Sequence, residues 1–469
     1  MTFAQYANRS TADARVLVEF DLGNTNTQWV NNGAGIWVVD SNGLYDWVDA
    51  TLLDGFTAQN FAAIGSVTVD GVQQTKTTSM LAMVAATESF WYDGTTEKLW
   101  VHLINNDQPD LHNISIGVVY GYSFDEFTPV GAGQLYEGRL LGAPSISKRR
   151  DPLYFGRISF GGGSVTLANG DGSLDTWAED NDIYGNAARI KLGYAALDIH
   201  DYELLYTGYI EKVTTGEDTL TVQIADARKR LTAPITYVCT SQNALDAIVS
   251  ILGQAYGVSY TDTYFDTAAW SAAQASVETV SMAMERPDSV INVIEGICRS
   301  VFGVFFVTPD NRYSFRIVNT GASSETTILR SDVMNKHRIA YDPTEVISSA
   351  RIGYWTSAGT IYDYATNTTY QASVYSAYKT YNERTFDTFL DTATAATAYG
   401  TTIMLYAKDV HGQFNVDVPM TYYARDIGET VDVEVWRAGH TMLGTKKSEV
   451  LEVRYNLDGP TMTIGLRVV

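Results

Sequence analysis

The stretch Asn169-Gly170-Asp171-Gly172-Ser173-Leu174-Asp175 comes nearest to a metal site in this chain. Oxygen donors at 169, 171, 173 and 175 alternate as they do in a calcium loop. The glycine is misplaced for an EF-hand and no Glu follows at the twelfth position. A Gly-rich β-turn is therefore expected, with Asn and Gly supplying positive φ. The six histidines, His102, His112, His200, His337, His411 and His440, are scattered, and none has a ligand-like spacing to another. Carboxylates cluster at Glu179-Asp180 with Asp182, but a glycosidase needs two carboxylates facing across a cleft, and any acidic β-protein has such runs. Phe90, Trp91, Tyr92 and Trp100 could form a sugar platform, although cross-strand packing is the expected use of these rings. The basic triplet Lys148-Arg149-Arg150 is too short for a nucleic-acid patch and reads as a solvated linker. No His-Glu-x-x-His, Gly-x-Ser-x-Gly, P-loop or dinucleotide fingerprint occurs. No catalytic, cofactor-binding or metal-ligating residue is assigned, and the chain is not expected to be an enzyme.

Composition narrows the class further. A length of 469 residues accommodates about three domains at roughly 150 residues each. Thirty tyrosines, with recurrent Thr and Val, favour strands. Acids outnumber bases by 54 to 32, a net charge of -22, which argues against nucleic acid wrapping onto the outer surface. The same charge suits a repulsive passage for another polyanion. Two cysteines exclude a disulfide scaffold and a four-thiolate metal site. Cys298 lies on the apolar face of a helix pattern and reads as a core residue, Cys239 lies near a strand or domain edge, and no disulfide between them is expected. The first ten residues lack the basic start and apolar core of a signal peptide, and no run of about 18 apolar residues predicts a membrane span. A protein made in the cytoplasm, staying soluble or leaving by a route other than secretion, is expected.

The elements that would hold any site are mostly strands. Residues 1–145 read as an N-terminal β-domain whose clearest hairpin runs through Trp91 and Trp100. A connector from Gly131 to Pro144 leads to a second β-unit over 150–235, starting with a strand at Leu153–Phe160. Residues 240–340 change to an α+β module. One helix, capped by Ser241 and stopped by Gly257, carries Ala244, Leu245, Ile248, Val249 and Leu252 on one face. A second, opened by Pro287-Asp288 and ended by Gly303, sets Val290, Ile291, Ile294, Ile297, Cys298 and Val301 in one stripe. Strands return over 341–469, with a Tyr-rich inserted loop at 360–385 and a helix from Ala393 to Lys408. Two hairpins about 240 residues apart look alike: Tyr209–Val213 with Leu220–Ile224, and Val450–Val453 with Met462–Leu466. Internal duplication is the favoured reading of the pair, with chance similarity as its alternative. Duplication would make 150–235 and 341–469 superposable barrels, with Glu211 and Glu452 at similar places.

The order of these parts resembles the tail hub (baseplate hub, tail-tip) proteins of long-tailed bacteriophages. The resemblance rests on Gly163–Asp175 with Tyr206–Glu211, on the helix-plus-hairpin unit at 288–317, and on Asp426–Val433 leading into the last strands. It covers about 150–469, and residues 1–145 look like a leader domain attached to some hubs. It implies a mainly β fold: two similar small β-barrel domains, a helix–hairpin α+β module between them and an extra N-terminal β-domain. It also implies a homotrimer that presents six barrels as a pseudo-hexameric ring at the tail tip of a virion assembled in the host cytoplasm. Such a ring would meet the six-fold distal tail or tail-tube proteins on one side and tail fibre or central tip proteins on the other. Genomic DNA would pass through it, and an acidic lumen would keep the DNA from sticking. Some hubs hold an iron–sulfur cluster or carry a cell-wall hydrolase; this chain has neither the thiols nor a lytic motif, and no cofactor is expected. A receptor-binding or carbohydrate-binding tail protein is the alternative, and a carbohydrate-active enzyme the third reading.

Overall fold

The computed structural model describes the backbone of residues 14–22, 30–31, 36–40, 63–69, 72–73, 75–76, 89–93, 98–102 and 114–119. It describes side chains for 14–20 and 120–469, apart from 131–135, 143, 145, 154, 157–158, 160, 176–182, 319–320, 322, 336–338, 357–361, 435–443, 458 and 460. The chain divides into two compact units, Met1–Pro144 with Gly162–Ala225, and Ser145–Gly161 with Asp226–Val469. Both are rich in strand, and the second contains an α+β module.

The first unit is built on a sheet containing β1 (Ala14–Leu22), β4 (Ala63–Val69), β5 (Val72–Gln73), β9 (Ile114–Tyr122) and β10 (Leu140–Gly142). It continues through β12 (Gly162–Ala168), β13 (Ala187–Tyr194), β14 (Glu203–Thr215) and β15 (Thr219–Ala225). The nine strands lie in the order β10-β12-β15-β14-β13-β1-β9-β4-β5. A five-stranded sheet holds β2 (Val30–Asn31), β3 (Ile36–Asp40), β6 (Thr75–Lys76), β7 (Ser89–Asp93) and β8 (Lys98–His102). β1 sits centrally, between β13 and β9, which is why Val16, Leu17, Val18 and Phe20 are all buried with no polar alternation. Its Glu19 is buried too. A carboxylate there needs partners, and Tyr136 donates to it at 2.5 Å and Lys191 at 2.7 Å. Strands expected of a separate N-terminal domain therefore share one sheet with those expected of the first barrel. The chain divides differently from the boundary read at 145–150, because β1 and β13, about 170 residues apart, are hydrogen-bonded neighbours. The connector expected before Pro144 contributes β10 and buries Tyr136 and Leu140.

The second unit contains a sheet of β11 (Ile146–Arg149), β22 (Thr327–Ile328), β23 (Ala340–Tyr341), β27 (Gly412–Pro419), β28 (Thr430–Val435), β29 (Gly444–Asn456) and β30 (Thr461–Val468). Its order is β22-β28-β29-β30-β27-β23, with β11 also paired to β29. The α+β module comprises β16 (Pro234–Ile235), β17 (Val238–Asn243), α1 (Ala244–Tyr256), α2 (Thr267–Gln274), β18 (Thr279–Ala283), β19 (Asp288–Ser289), α3 (Val290–Ser300), β20 (Gly303–Val307) and β21 (Tyr313–Ile317). The apolar stripes of α1 and α3 meet Phe265, Trp270, Phe305 and Phe315 in one core. Each fully buried Ile or Val there contributes about 1.5–3 kcal/mol. Asn243, not Ser241, caps α1, its side chain accepting from the Leu245 N–H. Ser241 is held at φ +46° in an irregular part of β17, two residues too early to cap. Gly257 ends α1 at φ +69° as expected. Ser289, not Pro287-Asp288, starts α3, and Phe302 at φ +53° precedes Gly303 at its end.

A second, three-stranded sheet interrupts the region expected to be one barrel. β24 (Ser349–Thr356) pairs with β25 (Ile361–Asn367) and with β26 (Glu383–Asp387), and α5 (Ala393–Ala407) packs on one face. The Tyr-rich stretch expected as a loop supplies β25, α4 (Gln371–Tyr378) and β26. Alternation Tyr-Asp-Tyr-Ala-Thr-Asn is a strand pattern once β24 is present to pair with it. The strand expected at Leu153–Phe160 is absent among the described residues. Leu153 and Phe155 instead pack into the α5 core from a turn.

Candidate functional site

The two hairpins read as copies belong to two copies of a larger motif. In the first unit, β12, β13, β14 and β15 lie in the spatial order β12-β15-β14-β13, all antiparallel. In the second unit, β27, β28, β29 and β30 lie in the order β27-β30-β29-β28, again all antiparallel. First strand beside fourth, followed by third and second, is a Greek-key arrangement. Both long third strands carry 13 residues. Both carry a bulge against the fourth strand: Glu211 is the extra residue between the pairs Ile210↔Ile224 and Lys212↔Gln223, while β14 has a second bulge, at Leu205 against β13, that β29 lacks. Leu451 is the extra residue between Val450↔Leu466 and Glu452↔Gly465. A bulge bends its strand and raises its twist, so a shared bulge means a shared bend. Inward positions also correspond: Ile210, Val213, Val222 and Ile224 are buried in the first copy, and Val450, Val453, Ile464 and Leu466 in the second. The registers align Glu211 with Leu451 and Lys212 with Glu452. The expected match of Glu211 with Glu452 is therefore one residue off, since only the pairing reveals which residue is bulged.

The second copy has an additional strand on it. β11 runs antiparallel to β29 just past the bulge, with Arg149↔Glu452 and Lys148↔Val453, and Arg150 N–H donates to the carbonyl of Leu451 at 2.8 Å. The triplet expected as a solvated linker is thus a strand, and strand periodicity splits its charges. Arg149 points out, while Lys148 and Arg150 are buried. Lys148 pairs with Asp426 at 3.0 Å and lies 5.7 Å above the Phe306 ring. Arg150 pairs with Glu449, and both side chains are fully shielded. Tyr406 donates to Glu449 at 2.5 Å and accepts from Arg150 at 3.1 Å, so burial, then Glu449, pushes its hydroxyl up to about 12. Arg467 stacks 3.8 Å over the Tyr406 ring and donates to its carbonyl at 2.9 Å. Sequence reading missed this cluster because its members are spread over the second unit.

The other candidates fall apart or turn structural. Arg139 grips Asp171 with two bonds of 2.9 and 2.7 Å, holding that carboxyl well below the usual range with help from Ser173. Asn169 aims its NH2 at Asp175 at 2.6 Å, and its oxygen accepts the Leu174 N–H at 2.8 Å. The 169–175 loop therefore spends its oxygens on its own turn and on Arg139, with Gly172 at φ +69°. Among the described residues, no group of three or more His, Cys, Asp or Glu could hold a metal ion. Cys239 and Cys298 are free and buried, and burial pushes the Cys298 thiol up. His411 is half-buried against two carbonyls, and His200 lies exposed at a short helical turn. The side chains of His102, His112, His337 and His440 lie outside the described residues, as do Glu179, Asp180 and Asp182. β7 and β8 pair in register Trp91↔Trp100 as the hairpin pattern predicts, though the rings themselves lie outside the described side chains. Among the described residues, no helix is long and apolar enough to cross a membrane.

No protein-family model and no curated protein matches this sequence. Solved structures do. The chain is similar to a tail protein from Neisseria meningitidis, at 10% identity and TM-score 0.46, over 70% of this chain and 92% of that one. It is similar to the 43 kDa tail protein of a Shewanella oneidensis prophage, at 12% identity and TM-score 0.44, over 71% and 94%. A prophage tail protein from Listeria monocytogenes is similar at 9% identity and TM-score 0.40, over 69% and 88%.

Proposed function

We propose that this protein is a structural hub of a bacteriophage tail tip, working by assembly and not by catalysis. The repeat carries the reading: one Greek-key motif, with a shared bulge between its third and fourth strands, occurs twice in the chain. Two motifs per chain allow three chains to present six, which lets a trimer face a six-fold tube on one side and a three-fold tip on the other. The sequence resemblance to tail hubs points the same way. The partners in this reading are two further copies of the chain, the distal tail or tube proteins, and fibre or central tip proteins. A net charge of -22 per chain suits a passage through which DNA must slide without sticking.

Native mass spectrometry and electron imaging of the full chain test this. The expected particle has three chains and a central hole. A compact monomer overturns the hub, and a neutral or basic channel wall overturns its acidic-passage component.

A further inference from the structure

The three-stranded sheet of the second unit has two unlike faces. Ala350, Ile352, Tyr354 and Phe386 pack with α5. Strand alternation puts Gly353, Trp355, Tyr362, Tyr364 and Asp387 on the other face. The registers Trp355↔Tyr362, Gly353↔Tyr364 and Gly353↔Asp387 bring these residues into adjacent rows. A sheet face turned away from its core is ordinarily polar, and this one is aromatic. Trp355 and Tyr362 meet edge to face at 5.2 Å, and Tyr362 and Tyr364 at 5.4 Å. Opposite them stand Asp288, Asn292, Glu295 and Arg299, from α3 and its approach. Between the two walls lies a cleft of about 580 Å³, inside the roughly 300–1,000 Å³ range of small-molecule sites.

The aromatic floor is fixed in place. A Cβ on Gly353 would lie 2.1 Å from the Tyr362 hydroxyl, so glycine lets that ring cross β24. The hydroxyl then donates to Asp387 at 3.3 Å and accepts the Thr388 N–H at 3.2 Å. At the end of the cleft, a Cβ on Gly296 would come within 2.6 Å of the Phe389 ring. Phe389 is tied through its backbone to Ser300 Oγ at 2.7 Å and to the Ser281 N–H at 2.8 Å. Such preorganisation lowers the cost of binding.

The charges and shapes select a ligand. Asp288, Glu295 and Asp387 outnumber Arg299, which disfavours an anion. A cation finds less to gain, because the Arg351 guanidinium already covers Tyr364 at 3.9 Å. A pyranose has apolar C–H faces and hydroxyl edges. Its C–H groups suit the electron-rich faces of Trp and Tyr. Its hydroxyls can donate to carboxylates and accept from Asn292 and Arg299. We propose that this cleft binds an uncharged oligosaccharide, with Trp355 and Tyr362 as its apolar floor and Asn292 and Asp387 as hydrogen-bonding groups. The inference does not depend on the chain being a hub.

The test is titration of the full chain with cellotetraose, maltotetraose, chitotetraose and mannotetraose, read by saturation-transfer NMR and calorimetry. A sulfated tetrasaccharide serves as the anionic comparison. At least one neutral sugar is expected to bind with Kd below about 1 mM, and Trp355→Ala to weaken it by about tenfold or more. Asn292→Ala, at an exposed helix position, should weaken it also while leaving the circular dichroism and melting temperature unchanged, which keeps the test open if Trp355→Ala fails to fold. Absence of a transfer signal at about 10 mM for every neutral sugar, undiminished binding in the variants, or tighter binding of the sulfated sugar overturns the proposal.

Discussion

Arg150 and Glu449 are both shut off from solvent, so each depends on the other for its charge to be tolerated. Glu449→Gln should lower the unfolding free energy of the second unit by about 3–5 kcal/mol, because it leaves the buried Arg150 guanidinium without its carboxylate. Tyr406→Phe should cost less, about 1.5–3 kcal/mol, because it removes the hydroxyl's bonds to Glu449 and Arg150 but leaves their ion pair in place. Urea unfolding of the full chain measures both, and a change under about 0.5 kcal/mol for Glu449→Gln would count against the pairing. His411 faces opposing influences. Its two ring nitrogens lie 2.7 and 2.9 Å from carbonyl oxygens, an arrangement that favours the doubly protonated ring. Burial, and then the charge of Arg467, favour the neutral ring, and these win, lowering its pKa from 6.5. Between the folded pKa and 6.5 the unfolded chain holds more protons at this site, so stability should rise with pH through that window and level off above it. An NMR titration of the His411 ring should give a midpoint below 6.5, and a higher midpoint would mean that the carbonyls dominate.

The shared bulge is the feature on which the similarity of the two Greek keys is most open to test. Deleting Leu451 leaves β29 and β30 in the same register but removes the bend and added twist of the bulge, the buried Leu451 side chain and the carbonyl that accepts from Arg150. A less stable second unit, with a lower melting temperature and faster proteolysis, is the expected result. One residue added to the loop between Asn456 and Thr461 should be tolerated by comparison, because that loop already differs in length from its counterpart. Limited proteolysis with circular dichroism distinguishes the two, and a Leu451 deletion that folds normally would show the bulge to be incidental. At this scale much was readable beforehand. The stripe of α3 comes from 3.6-residue periodicity, the helix from Ala393 from a run of Ala, Leu and Met with few breakers, and both hairpins from alternation around polar turns. β25 and β26 were not readable as strands, because a Tyr-rich polar stretch becomes a strand only when β24 is there to bond with it. The cleft lined by Trp355, Tyr362, Tyr364 and Asp387 was missed for the same reason.

At the scale of the whole molecule, the proposed trimer must bring together three chains, each with a charge of -22. Like charges repel over roughly a Debye length, about 30 Å at 0.01 M salt and about 8 Å at 0.15 M. Sedimentation of the full chain should therefore give more trimer at 0.15 M than at 0.01 M salt. The opposite trend would mean that attractive ion pairs between copies hold the assembly, in place of apolar and strand contacts that persist against net repulsion.

Local pattern in the sequence determined the abundance of strand, the α+β character of the module, the paired hairpins and the lack of a recognisable catalytic motif. Each is written into neighbouring residues through periods of 2 or 3.6, or through contiguous motifs. Tertiary structure decided that β1 lies beside β13, that Lys148 and Arg150 are buried while Arg149 is not, and that Leu451 is the residue matching Glu211. It also decided that Arg150 meets Glu449, 299 positions away. These depend on which strand bonds to which and in what register. Hydrogen bonding between strands is nearly indifferent to residue type, so those choices are made by the packing of the folded chain as a whole.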